Sequence, residues 1–140
     1  MACYLDANIL FALLIPEPFS LRADSFLLNN TEPLLVSDFA SAEFASAVAR
    51  HVRMHEFTVE QAGIALSAFD VWVARSADWI EVSAADIALA TAYIRRLDLP
   101  LRTPDAIHIA VAQRMEAILV TFDQRMAASA LALGALVATP

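Results

Sequence analysis

Short apolar runs alternate with longer stretches of helical period along the chain. A few consecutive apolar residues between polar breaks suit a buried strand, whereas apolar residues recurring every three or four positions suit an amphipathic helix. On this basis Ala2–Leu5, Leu34–Val36, Trp79–Val82 and Ile118–Thr121 read as strands, and Leu136–Ala138 as a short edge strand. Helices are predicted over Asn8–Ile15 and Phe19–Asn29, on either side of the Pro16/Pro18 break, and over the pair Asp38–Met54 and Val59–Arg75. Further helices are predicted over Ala84–Leu97, ended by Pro100, over Pro104–Glu116, and over Arg125–Leu133, with Gly134 as its stop. Strands alternating with helices imply an α/β fold with a parallel sheet covered on both faces. Ligands of such sheets bind beyond the carboxyl ends of the strands. Two successive helices before the fourth strand break the simple alternation, and the pattern does not say how the Asp98–Arg102 segment turns the chain. With no repeat, linker or low-complexity segment, residues 1–140 are expected to form one domain.

Composition changes this picture in three ways. Hydrophobic residues make up 59 % of the chain, more than is usual for a globular domain. The runs are too short for a membrane span, which needs about 20 residues. No basic segment opens the chain and Asp6 interrupts its first apolar stretch, so a secretory signal is not expected. A cytoplasmic protein is expected, with the apolar excess serving a homodimer interface to which the helix pair Asp38–Arg75 contributes. Second, the net charge is −7, with nine arginines and no lysine. Phosphate contacts need positive charge, so an acidic chain is a poor default partner for nucleic acid. That objection weakens if several carboxylates hold metal. Third, the absence of lysine excludes P-loop nucleotide binding and Schiff-base chemistry. The lone Cys3 excludes an internal disulfide and a cysteine-rich zinc site.

The candidate chemistry lies in four acids. Asp6 and Asp123 each follow a strand, so parallel neighbours would bring both to one sheet edge; alone, each reads more readily as a helix N-cap or a solvated loop acid. In Thr103-Pro104-Asp105, Thr103 suits an N-cap and Pro104 the first helical position. Asp105 then sits in a first turn, where the helix dipole favours its ionised form. That helix leads into the strand before Asp123, so its start is expected at the same edge. Glu43 has Phe39 and Ala47 as its i−4 and i+4 neighbours. A carboxylate in such an apolar stripe needs a cation or a donor unless it reaches water, and the nearest local arginine, Arg50, is seven residues on. Four converging acids repel one another unless divalent cations sit among them, and hard oxygen ligands suit Mg²⁺ or Mn²⁺. Such an ion can lower the pKa of a bound water and direct it at a phosphodiester, and a second can steady the leaving oxygen.

Tyr4-Leu5-Asp6-Ala7-Asn8, Ser37 with Glu43 six residues on, Thr103-Pro104-Asp105-Ala106-Ile107-His108-Ile109-Ala110 and Leu119-Val120-Thr121-Phe122-Asp123 together resemble the PIN-domain family. In length and layout the chain is most similar to the VapC-type toxins of bacterial toxin–antitoxin pairs. The resemblance runs from Tyr4 to Gly134 and is most specific in the Asp-Ala-Ile-His and Thr-Phe-Asp blocks. It implies a three-layer α/β/α sandwich with a central parallel sheet, and a Mg²⁺- or Mn²⁺-dependent endoribonuclease. It also implies a homodimer, an RNA substrate and a cognate antitoxin that covers the active site. Asp6, Glu43, Asp105 and Asp123 match the family's four acidic positions, and Asn8 and Thr121 match supporting polar positions. The chain departs from the family in its shortage of basic charge.

Other residues carry weaker signals. His51 and His55 are four apart, a spacing that could bind metal, but without a third ligand nearby they better suit, with Arg50 and Arg53, a solvated helix end. His108, one turn after Asp105, suits either the site or the core. Arg95, Arg96 and Arg102 could contact phosphate or solvate a helix end. Phe39, Phe44, Phe69, Trp72 and Trp79 suit a core or an interface better than base stacking. Two other function classes compete. A phosphatase of haloacid-dehalogenase type would use Asp6, but wants an acid at position 8 and usually a lysine downstream. A catalytically silent protein-binding module would keep the fold without the chemistry.

Overall fold

The computed structural model describes all residues, Met1–Pro140. The elements in chain order are β1 (Cys3–Leu5), α1 (Ala7–Leu14), α2 (Ser20–Asn29), β2 (Leu34–Ser37), α3 (Asp38–Arg53), α4 (Val59–Ser76), β3 (Asp78–Ile80), α5 (Ala84–Arg95), α6 (Thr103–Arg114), β4 (Ile118–Val120), α7 (Gln124–Ala132) and β5 (Val137–Ala138). Every element expected from the pattern is present, with ends shifted by one or two residues. The five strands form one sheet in the order β3-β2-β1-β4-β5, and all four pairings are parallel. Cys3 registers with Leu34 on one side and with Ile118 on the other.

The chain first steps outward from β1 to β2 and β3, then returns to lay down β4 and β5 on the opposite side of β1. Right-handed crossovers taken in opposite directions put their helices on opposite faces. Alternating strand residues divide accordingly. Cys3, Leu5, Leu34, Val36 and Val120 pack with α1, α3 and α4, where Phe44 and Phe69 stack at 4.5 Å. Tyr4, Leu35 and Leu119 pack with α5, α6 and α7. The result is the expected three-layer α/β/α sandwich. The odd succession of α5 and α6 is resolved by packing: these two helices make the most extensive helix–helix contact in the molecule. Leu97, at φ 67°, turns the chain out of α5 ahead of Pro100.

Three local expectations are corrected. Thr103 is not the N-cap of α6: the first helical bond runs from the Ala106 N–H to the Arg102 carbonyl, so Arg102 is the cap and Pro104 the second helical residue. Asp105 remains in the first turn. The third strand begins at Asp78 rather than Trp79 and ends before Val82, and it is an edge strand with Trp79 exposed. His55 does not continue the helix with His51; it stands beyond the end of α3 at φ 59°, which breaks the i, i+4 metal-binding geometry. Gly134 ends α7 as expected, at φ +82°, a region open to glycine at little cost.

Candidate active site

The strand order reverses between β1 and β4, and at such a point the two outgoing chains diverge and leave a crevice. The residues that leave these strands line it. Asp6 follows β1 directly; its carbonyl accepts the first bonds of α1, but its side chain makes no cap bond and turns inward, nearly buried. Thr121 follows β4, fully buried. Its hydroxyl donates to Asp6 Oδ2 at 2.7 Å and accepts from the Asp123 backbone N–H at 3.0 Å. One hydroxyl thereby sets the relative positions of two acids. Asn8 closes the same corner, donating through Nδ2 to Thr121 Oγ1 at 3.2 Å and accepting from the Phe122 N–H at 3.2 Å. Asp123 caps α7, accepting from the N–H groups of Arg125 and Met126.

Glu43 reaches the site from α3. The donor that its apolar surroundings demand is His108 of α6, 65 residues away in sequence, rather than any arginine. His108 is buried, and its Nε2 bonds Glu43 Oε1 and stands 3.4 Å from Asp6 Oδ1. Its Nδ1 lies 2.8 Å from the Tyr4 hydroxyl, which lies 2.7 Å from Ser37 Oγ. Ser37 in turn caps α3, accepting from the Ala40 N–H at 3.0 Å. The chain Ser37–Tyr4–His108 crosses β2, β1 and α6 and satisfies every buried polar atom on its way. Sequence reasoning placed His108 between site and core; it belongs to both. Tyr4 and Ser37 were not expected as supporting residues beyond their place in the motifs. A tyrosine on a central strand, alternating toward the layer that holds His108, was the available signal.

Asp6, Glu43, Asp105, His108 and Asp123 all line one open cleft of roughly 670 Å³. Burial raises the Asp6 carboxyl above its ordinary value, and Glu43 adds to this, against His108 and Thr121, which oppose it. Burial also raises Asp105, helped by the charge of Asp123 and opposed by the backbone donor at Arg102. Burial works against a charge on His108, but the bond to Glu43 and the charge of Asp6 outweigh it and raise its pKa.

These donors suit a divalent cation. Asp6, Glu43 and His108 each offer a ligand atom within 4.8 Å of the other two, whereas Asp105 and Asp123 line the same cleft outside that close group. None of the four acids forms an ion pair with an arginine, and His108 is the one charged side chain in direct contact with two of them. Clustered carboxylates that are partly withdrawn from water and lack an arginine partner attract an external cation.

Comparison with curated proteins returns no match. Among solved structures, VapBC2 from Rickettsia felis, bound to a DNA fragment from its promoter, superposes with a TM-score of 0.73 at 18 % identity, covering 100 % of this chain and 99 % of that one. VapC20 of Mycobacterium tuberculosis, a sarcin-ricin loop cleaving toxin, gives 0.73 at 15 % identity over 91 % and 94 % of the two chains. FitAcB from Neisseria gonorrhoeae gives 0.69 at 19 % identity over 96 % and 95 %. At these identities the likeness is one of fold. The PIN-domain family model matches residues 3–131, spanning every acid of the cleft. The chain therefore belongs to the PIN-domain family.

Proposed function

We propose that this chain is a divalent-metal-dependent endoribonuclease and the toxin of a toxin–antitoxin pair. The observation that carries the reading is the convergence of Asp6, Glu43, Asp105 and Asp123 on one cleft at the strand carboxyl ends, none of them ion-paired to an arginine. These four residues would hold Mg²⁺ or Mn²⁺. A bound ion of this kind supplies a water of lowered pKa and stabilises charge on a phosphodiester. The chain's own residues do the positioning. Thr121 holds Asp6 and Asp123 in register, and Asn8 braces Thr121. His108, held from behind by Tyr4, orients Glu43 beside Asp6. Membership in the PIN-domain family sets aside the haloacid-dehalogenase alternative.

The toxin reading draws on the solved relatives, several of which are toxin–antitoxin complexes. An antitoxin segment covering the open cleft would block the acids. A cytoplasmic homodimer completes the reading, and no helix is long and apolar enough to cross a membrane. Purified protein free of antitoxin should cut a mixed RNA substrate with Mg²⁺ or Mn²⁺ and stop with EDTA. Cutting that survives EDTA would remove the metal from the reading. No cutting with either ion, together with no heat of Mn²⁺ binding, would favour the silent binding module.

A further inference from the structure

An acidic chain must still hold a polyanion, and α3 supplies the means in its own helical period. Glu43, Ala47 and Arg50 recur at four- and three-residue spacing, so they lie on one stripe, with His51 beside it. All four line the cleft. Ala47 is small and leaves the path along the stripe open. At 1.5 Å of rise per residue, Arg50 stands about 10 Å along the axis from Glu43, too far to share one phosphate with the acids. Arg50 is exposed and its side chain makes no ion pair or hydrogen bond within the protein. His51 is held in place: its ring stacks on Phe11 at 5.3 Å and on Phe57 at 4.6 Å, and its Nδ1 is bound to Glu56. Nε2 is its one free ring nitrogen. On the opposite wall Arg102, also without an ion pair, adjoins Asp105. The cleft is thus an acidic centre with cationic side chains on its flanks.

We propose that Arg50 and His51 form a phosphate subsite, which holds a nucleotide strand beyond the bond being cut and along α3. This rests on the nuclease reading above. The guanidinium presents paired N–H donors to phosphate oxygens, and the fixed His51 ring, whose Nδ1–H is engaged by Glu56, bounds the path and orients the strand against Arg50. The substrate is accordingly an RNA strand that continues past the scissile bond, not a dinucleotide. Charge complementarity assigns the occupant: the acids repel phosphate where no metal sits, and the arginines attract it on both flanks.

The test compares wild type with Arg50→Gln and with Arg53→Gln, an exposed arginine of the same helix outside the cleft. Steady-state cleavage of a dinucleotide and of a ten-nucleotide RNA is measured with Mn²⁺. Binding of the fluorescent ten-nucleotide RNA is measured by anisotropy in EDTA at several salt concentrations. Arg50→Gln should raise KM for the longer RNA about tenfold with kcat intact, leave the dinucleotide unaffected, and reduce the salt slope of binding by about 0.7. Arg53→Gln should change none of these. An unchanged KM and salt slope in Arg50→Gln, with wild type still cleaving, would overturn the subsite and leave the nuclease reading intact. If wild type cleaves no RNA, the nuclease reading falls and the subsite falls with it, an outcome distinct from cleavage that Arg50→Gln leaves unchanged. Displacement of the RNA by polyglutamate as readily as by unlabelled RNA of equal charge would overturn it in favour of an acidic protein segment.

Discussion

Asp105 tests whether the acids are ligands or merely good helix design. Its carboxyl is raised by burial and by the charge of Asp123. A carboxyl whose folded pKa lies above its unfolded value makes the native state bind more protons, so stability falls as pH rises from the unfolded value through the folded one. Asp105→Asn removes that loss while keeping the volume. At neutral pH the metal-free mutant should melt at the wild-type temperature or slightly above it, while Mn²⁺ should stabilise it less than it stabilises wild type. RNA cleavage should disappear. An acid serving only the helix dipole would give the opposite pattern, with a little stability lost and all activity kept. Melting curves with and without Mn²⁺, alongside a cleavage assay, separate the two. A mutant that cuts at the wild-type rate would end the catalytic claim for Asp105.

Between elements, an ion pair between buried Asp86 and the solvent-facing Arg114 ties α5 to α6. Asp86 is buried in the capping box of α5, where it accepts from the Ser83 N–H at 2.8 Å. Arg114 at the end of α6 grips it through Nε and Nη2, at 2.7 and 2.9 Å, and also donates to the Glu81 carbonyl. Burial alone would raise the Asp86 carboxyl, but the Arg114 bonds outweigh it and hold it below the usual range. The pair anchors the lower end of the helix whose upper end carries Asp105 and His108. Arg114→Met leaves Asp86 without its cation; because the guanidinium itself faces solvent, the cost should be about 1–2 kcal/mol at pH 7. The folded pKa of Asp86 is depressed, so its contribution is complete above the unfolded value of about 3.9 and is lost as pH falls through the folded value. The gap between wild type and mutant in urea denaturation should therefore be full at neutral pH and narrow below about pH 4. An unchanged gap across that range would show that the lost stability is packing rather than charge.

For the whole molecule, the apolar excess finds only part of its use in the two cores. On α4, Val59, Ile64 and Val71 are half or more exposed, which is more apolar surface than one solvated helix needs. It lies within the helix pair from which a homodimer is expected. Light scattering at micromolar concentration should give about twice the chain mass of 15.2 kDa, and Ile64→Glu should shift it toward one. A monomer at that concentration in the wild type would count against the dimer.

Apolar spacing, caps and prolines act over a few residues, so the elements and their order are legible along the chain. Ser37, Thr58 and Ser83 cap their helices as local chemistry dictates, and Gly134 stops the last one. The sequence also named the four acids, since each sits just beyond a strand or on a helix facing that edge, and the motif blocks around them are local. What surrounds the acids was decided only by tertiary structure. Glu43 has no local partner, and the one it finds, His108, comes from another helix. Thr121 bridges Asp6 and Asp123 only because β1 and β4 pair in one register. Tyr4 becomes a strut because a central strand turns it toward α6 rather than toward α3. His51 and His55 part company because α3 ends between them, and His51 instead meets Phe11 and Phe57. Spacing along a chain reports which face a residue occupies. Which residue waits on the opposite face depends on strand order, register and crossover hand, and those are properties of the packed whole.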